Sequence, residues 1–461
     1  MSGQAPTGGW DLVYAVRLPR VNEQIAAQNL SPKAFSGGAD GAAVSGTFGT
    51  WQIAPGGAEY LVDLRIPVSG TIAVPGGAKY PFSGNATVQV QLTYLSTSAG
   101  SKPGSSLQIA QPGDAAAAEP GPFSVQKVDL GAGAPLGETT LVETALGEWL
   151  NAHPGVFNHV FAVVDLSRVA AEAPYAWMKP TALSYAYVDG ATESDCLLAI
   201  LAMTEGDAPA ALAQQVAGGV VPDGHDAALL VSSSLLLNKI IRNALPATFP
   251  GTTTADFPIA SRSPSLSLAN PCQLSSVDYQ GQTYQPLLES FTVEFSGTQI
   301  TCMSQCSIPV RIGVKAHTSV NAVQAVALAT NGQGQQTLAF TEVTPPQVSH
   351  WTTTDPGADQ TAEEIGAGIA VAVGLATLFT AGIGGIFVVL CGALAGGVVA
   401  ELPELIAAWT PDTAPSLDLM AINMTAPFAW TGGGPFSVTT ADLAESLRLS
   451  GTPWPRPEAA S

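Results

Sequence analysis

In two places this 461-residue chain runs a strand straight into a helix. The first begins at Trp10-Asp11-Leu12-Val13-Tyr14-Ala15-Val16, which alternates as a strand does. It passes into Arg17-Leu18-Pro19-Arg20-Val21-Asn22-Glu23-Gln24-Ile25, where Pro19 suits a first helical turn and Val21 and Ile25 lie one turn apart. The second is Ala227-Ala228-Leu229-Leu230-Val231, followed by the capping candidates Ser232-Ser233-Ser234 and then Leu235 to Ile241. Val21-Asn22-x-x-Ile25 and Leu237-Asn238-x-x-Ile241 read as one element used twice. The chain is therefore expected to hold two related halves, 1–205 and 206–461, each organised around one apolar helix. Short apolar-Asn patterns are common, and chance repetition is the competing reading.

The length exceeds what one ordinary core supports, which agrees with two units. Apolar residues make up 46% and charged residues 11%, with 48 Gly and 35 Pro scattered along the chain. That profile fits a folded chain of many short strands and turns. The net charge of -20 and the scattered 16 Lys and Arg leave no basic footprint, so nucleic acid is excluded as a partner. No Lys or Arg lies between Lys315 and Arg448, so this third should repel anionic surfaces. The first residues show no signal-peptide pattern, which predicts a cytoplasmic protein or one released by another route. Five Cys give no disulfide framework, and Cys302 and Cys306 lack the further ligands of a zinc site, so buried thiols are expected.

Alternating runs separated by Gly and Pro predict strands at 46–53, 60–66 and 88–94. The Ser-, Gly-, Ala- and Pro-rich stretch 97–121 reads as an exposed loop. Thr139 to Leu150 reads as a short helix with Leu141, Ala145 and Trp149 on one face. Strands are predicted over Val156–Leu166, Trp177–Val188 and Cys196–Thr204, and a helical pattern over 209–217. Strands return from Asp256 to Thr344, including one over Ser290–Ile300, and again at Ser416–Thr425 and Phe436–Leu449. The class is α+β, predominantly antiparallel β.

One segment departs from this pattern. Ile365 to Ala400 contains no charged residue, is bounded by Glu363, Glu364, Glu401 and Glu404, and is divided by Gly382, Gly384 and Gly385. It reads as an apolar helical hairpin insertion at about 363–408. Its small residues would let the two arms approach closely. Each arm, about fifteen residues, is shorter than the roughly 20 needed to span a bilayer. The expectation is a shielded hairpin rather than an integral membrane anchor. Membrane contact is conditional on protonation of the flanking Glu.

No nucleophile elbow, phosphate-binding loop, zinc-protease motif or dinucleotide fingerprint occurs. The five His are dispersed, and His159 in Phe157-Asn158-His159-Val160 reads as a satisfied polar group on a strand. The chain is read as non-enzymatic, with no cofactor and no metal.

Three groups of residues then carry a resemblance. They are Trp10-Asp11-x-Val13-Tyr14-Ala15 with Val21-Asn22, then Phe157-Asn158-His159-Val160-Phe161-Ala162 with Trp177-Met178-Lys179-Pro180-Thr181 and Ile200-Leu201-Ala202-Met203-Thr204, and finally Trp430-x-Gly432 with Ala441-Asp442-Leu443. Together they resemble the forty-seven-kilodalton protein encoded beside clostridial neurotoxin genes and its OrfX relatives. The resemblance implies the tubular lipid-binding (TULIP) fold, in which long helices are wrapped by a curved antiparallel sheet. On that basis the expected function is binding of a lipid, acyl chain or other hydrophobic ligand. The protein would serve as an accessory component of a toxin or secreted complex, with related family proteins as partners. Val21, Ile25, Leu237, Ile240, Ile241 and Leu245 are the helix positions expected to face the ligand. A filled core is the competing role for them. Two other functions stay open: a solid scaffold binding protein partners, and a membrane-inserting effector acting through 365–400.

Overall fold

The computed structural model describes residues 4–97, 104–110, 122–131, 136–157, 159–165, 177, 179–204, 212–260, 263–279, 282–356, 370, 373, 425, 428–430 and 436–453. The predicted opening strand forms over Leu12–Arg17 and lies inside a six-stranded antiparallel sheet. The order across this central sheet is Pro180–Val188, Leu197–Thr204, Leu12–Arg17, Ala227–Ser232, Ser446–Thr452 and Ser437–Leu443. The two strands that lead into helices therefore pair with each other, Leu12 opposite Val231 and Val16 opposite Ala227. Leu197–Thr204 and Ala227–Ser232 are buried at every position, because both faces of the sheet are covered. One face packs Tyr14, Ile200 and Leu229 into the main core. The other packs Val13, Leu201 and Leu230 against Trp10 and Val221.

Helix α1, Leu18–Gln28, follows directly with Pro19 in its first turn. It ends at Asn29, which adopts the left-handed conformation (φ 49°) and returns its N–H to Ala26 O. At the second strand–helix junction Ser232 caps as expected, its Oγ accepting from Leu235 N at 3.2 Å. The helix there is not uniform. It runs as α over Ser233–Leu236, widens to a π-helical turn over Leu237–Ile241, and returns to α over Arg242–Thr248. Arg242 N–H accordingly reaches back five residues to Leu237 O.

A nine-stranded sheet occupies the N-terminal part and curls into a half-barrel. Its long strand Lys79–Thr97 changes partners along its length. Asn85–Val90 pairs with Phe123–Asp129, and Leu92–Thr97 pairs with Gly104–Ile109. Helix α2, Leu136–Ala152, lies across this sheet with Val142, Ala145, Leu146 and Leu150 fully buried. The buried stripe is thus rotated from the predicted Leu141/Ala145/Trp149 face. A third sheet runs Ser265–Ser267, Leu287–Ser296, Gln299–Arg311, Val314–Thr330 and Gln336–Thr354.

Four sequence expectations are corrected. The stretch read as an exposed loop contains the strand Gly104–Ile109, whose Leu107 and Ile109 are fully buried because strands flank it on both sides. Of the strand expected over Val156–Leu166, the described residues form Ala162–Asp165, and Pro154–Val156 forms a 3-10 turn instead. The described part of 209–217, residues 212–217, contains no helix. Ser290–Ile300 is two strands, turned at Gly297 (φ 57°). Cys302 and Cys306 are buried free thiols, as expected. Apart from Ala370 and Val373, the hairpin expected at 363–408 lies outside the described residues, and so does the strand at 416–425 apart from Thr425. Among the described residues no helix is long and apolar enough to cross a membrane.

Candidate functional site

All six helix positions singled out by sequence are buried: Val21 and Ile25 at 4% and 2% exposure, Leu237, Ile240, Ile241 and Leu245 at 0%. They belong to one continuous apolar core. A described surface cleft of about 420 Å³ lies at the start of the Ser233 helix, lined by Gly8, Gly9, Ser233, Ser234, Glu294 and Glu445 among others. None of the six lines it.

The paired Asn residues of the repeated motif do different work. Asn22 is buried and clamps the backbone of Ile53, donating from Nδ2 to Ile53 O (2.9 Å) and accepting at Oδ1 from Ile53 N (2.8 Å). Nδ2 also donates to Glu193 Oε1. Ile53 belongs to Gln52–Ala58, which among the described residues pairs in the sheet only with Leu61–Ala73. The Asn22 amide thus replaces the missing neighbouring strand. Asn238 is half-buried and its Oδ1 accepts from Arg242 Nη1 at 3.2 Å.

The polar chemistry of the interior lies elsewhere, where the central sheet faces the curled sheet. Across the curled sheet Tyr94 pairs with Leu107, Leu107 with Ala162, and Ala162 with Trp430. Directly paired residues share a face, so these four side chains form one row. Across the central sheet Tyr185, Ile200 and Tyr14 form another. The rows meet at both ends. Tyr14 stands edge-on to Trp430 with ring centroids 6.1 Å apart, and the Tyr94 phenol neighbours that of Tyr185. Phe428 and Phe436 also pack edge-on against Tyr14. Tyr185 is satisfied: its Oη accepts from Leu92 N and donates to Tyr60 O. Tyr94 Oη and Trp430 Nε1 are buried and have no hydrogen-bond partner. Burial, and for Tyr94 the adjacent Tyr185, pushes the phenols of Tyr14 and Tyr94 above their ordinary range.

His159 is a third such group. It is 1% exposed and sits edge-on to Trp51 (5.5 Å) and Phe161 (4.7 Å). Its Nδ1 has no partner, so the expected satisfied histidine is corrected. Burial pushes its pKa down to about 4, leaving the imidazole neutral at pH 7.

Sequence periodicity does not group Tyr94, Leu107 and Trp430. Tyr94 ends the alternating run 88–94, and Leu107-x-Ile109 is a short alternation hidden among Ser and Gly. Only the pairing of distant strands brings them together. Among the described residues no three metal-ligating side chains converge.

The sequence matches the OrfX-like family, described as Protein OrfX2/OrfX3/P47, over residues 7–451. It is 27% identical to Protein OrfX3 of Paraclostridium bifermentans, over 97% of this chain and 98% of that protein. It is 26% identical to Protein OrfX3 of Clostridium botulinum strain Kyoto, type A2, over 97% and 99%. The fold is similar to that of P47 from Clostridium botulinum A2, with a TM-score of 0.66 at 14% identity over 97% of this chain and 98% of that one. For P47 of Clostridium botulinum E1 the TM-score is 0.64 at 15% identity, over 96% and 99%.

Proposed function

This chain belongs to the OrfX-like family of OrfX2, OrfX3 and P47 proteins, and we propose that it is a non-enzymatic binder of a lipid or other hydrophobic ligand. One observation carries the reading. Tyr94 Oη and Trp430 Nε1 lie unpaired on one interior face, among apolar side chains and beneath the facing row of Tyr185, Ile200 and Tyr14. Burying a polar group without a partner costs about 1–3 kcal/mol, and native interiors rarely leave two in one row. A ligand that enters between the sheets and supplies those bonds accounts for both. The two-unit organisation belongs to the same proposal, with α1 and the split helix as counterparts. Its support is the central sheet, which draws three strands from 12–204 and three from 227–452. Family membership supports reading the protein, within the same proposal, as an accessory component of a toxin or secreted complex with related family proteins as partners.

A scaffold function has its own support. The six helix positions are all buried within the apolar core, at 0–4% exposure. The two functions separate in one experiment. The purified protein is extracted with organic solvent and the extract analysed by mass spectrometry, and the delipidated protein is titrated with a fluorescent fatty acid. Stoichiometric lipid, or saturable uptake at tens of micromolar, is the expected result. An empty extract together with no uptake overturns ligand binding and leaves the scaffold.

A further inference from the structure

The unpaired atoms differ in what they can accept. An indole Nε1 is a donor only, so Trp430 asks its partner for an oxygen or nitrogen lone pair. A phenol donates or accepts, and Tyr94 lies on the same face three ladder steps away, about 14 Å between backbones. The surroundings restrict charge. The strand segments carrying this row, 92–97, 104–109, 162–165 and 428–430, contain no Lys or Arg. The facing strands Pro180–Val188 and Leu197–Thr204 contain none either. On Leu12–Arg17 the sole cation is Arg17, at the end of the strand. Its guanidinium is committed to the carbonyls of His225, Ser194 and Val221. An ionised carboxylate or phosphate buried here would find no free cation on these described strands, which disfavours it.

We propose that the ligand is a neutral amphiphile with a hydrogen-bond-accepting head, an acyl ester being the simplest case. The Trp430 indole donates to its carbonyl oxygen, and Tyr94 serves a hydroxyl on the same molecule. This assignment rests on the ligand-binding reading above. It reverses a simpler expectation for an apolar groove, in which any chain of sufficient length is held equally.

The test uses the full chain, delipidated and loaded with a hydrophobic fluorophore. Three probes of equal chain length compete for it: 1-monodecanoylglycerol, decanoate at pH 8, and decane. The neutral ester is expected to displace the fluorophore at about tenfold lower concentration than decanoate. Trp430→Phe should weaken the ester about tenfold, the loss of one buried hydrogen bond, and leave decane within twofold. Tyr94→Phe should weaken it in the same sense. Circular dichroism establishes that each variant is folded, and if Trp430→Phe is not, Tyr94→Phe decides alone. Decanoate binding as well as the ester, or ester affinity unchanged in the folded variants, overturns the head-group assignment while ligand binding stands. Failure of all three probes to bind overturns both.

Discussion

Replacing Asn22 with Ala should cost far more than the same change at Asn238, although the sequence pairs the two. In the Asn22→Ala protein, Ile53 loses the acceptor for its N–H and the donor for its C=O at once. Neither group has a neighbouring strand on that side to turn to among the described residues, where Gln52–Ala58 pairs only with Leu61–Ala73. Two buried backbone groups at about 1–3 kcal/mol each, less partial relief by water entering the space of the lost amide, give about 3 kcal/mol. Asn238→Ala removes one bond to Arg242 at a half-buried site, worth about 0.5–1 kcal/mol. One-step unfolding belongs to single domains much shorter than this chain, so the loss is best read locally. Hydrogen exchange at the Ile53 amide reads the local loss directly. In Asn22→Ala its protection should fall by about two orders of magnitude, with little change in Asn238→Ala. Equal effects from the two variants, or unchanged Ile53 protection, would refute the idea that the amide substitutes for a strand.

Three further outcomes are expected. His159 is held neutral with a pKa near 4 against an unfolded value of about 6.5, so the unfolded state binds the proton first as pH falls. Stability tied to this group is therefore intact above about pH 6.5 and declines toward pH 4, by on the order of 3 kcal/mol; pH-dependent unfolding of His159→Phe should lack that decline. Leu107→Ala removes a fully buried side chain between two strands, worth about 2–5 kcal/mol, and should lower hydrogen-exchange protection across Gly104–Ile109; unchanged protection would contradict the burial. At Gly451 a Cβ would collide with the backbone oxygen of Ser437, so Gly451→Val should prevent closure of the Ser437–Leu443 and Ser446–Thr452 hairpin and leave the expressed protein protease-sensitive; normal resistance would contradict the close approach.

What the sequence made legible was local. The alternation at Leu12–Arg17, Pro19 in a first helical turn and Ser232 as a cap each depend on neighbours in the chain, and each appears where expected. What stayed hidden depended on partners far away. Gly104–Ile109 looks like a loop because its flanks are Ser- and Gly-rich, and it is a strand because Leu92–Thr97 and Ala162–Asp165 hold it on both sides. The turn at Gly297 was missed because β-branched and aromatic residues continue on both sides of it. Periodicity found six apolar helix positions and correctly implied burial, but burial does not distinguish a core from a ligand wall. The candidate site is defined by atoms that lack partners, and a missing partner leaves no trace in a residue pattern.

The central sheet also sets a schedule for synthesis. Leu12–Arg17 needs Leu197–Thr204 on one flank and Ala227–Ser232 on the other, and the nearer of these is made about 190 residues later. At the usual pace of translation, an apolar strand with both edges open waits about 10–40 s before either neighbour exists. Until then Leu12-Val13-Tyr14-Ala15-Val16 is a sticky edge on a growing chain, open to chaperones or to another nascent copy. Ribosome-bound chains halted near residue 190 should be cut by protease within this segment, and chains halted near 270 should resist. The protein is therefore most vulnerable to aggregation before its middle has been translated, at a strand that is among its best-buried once folded.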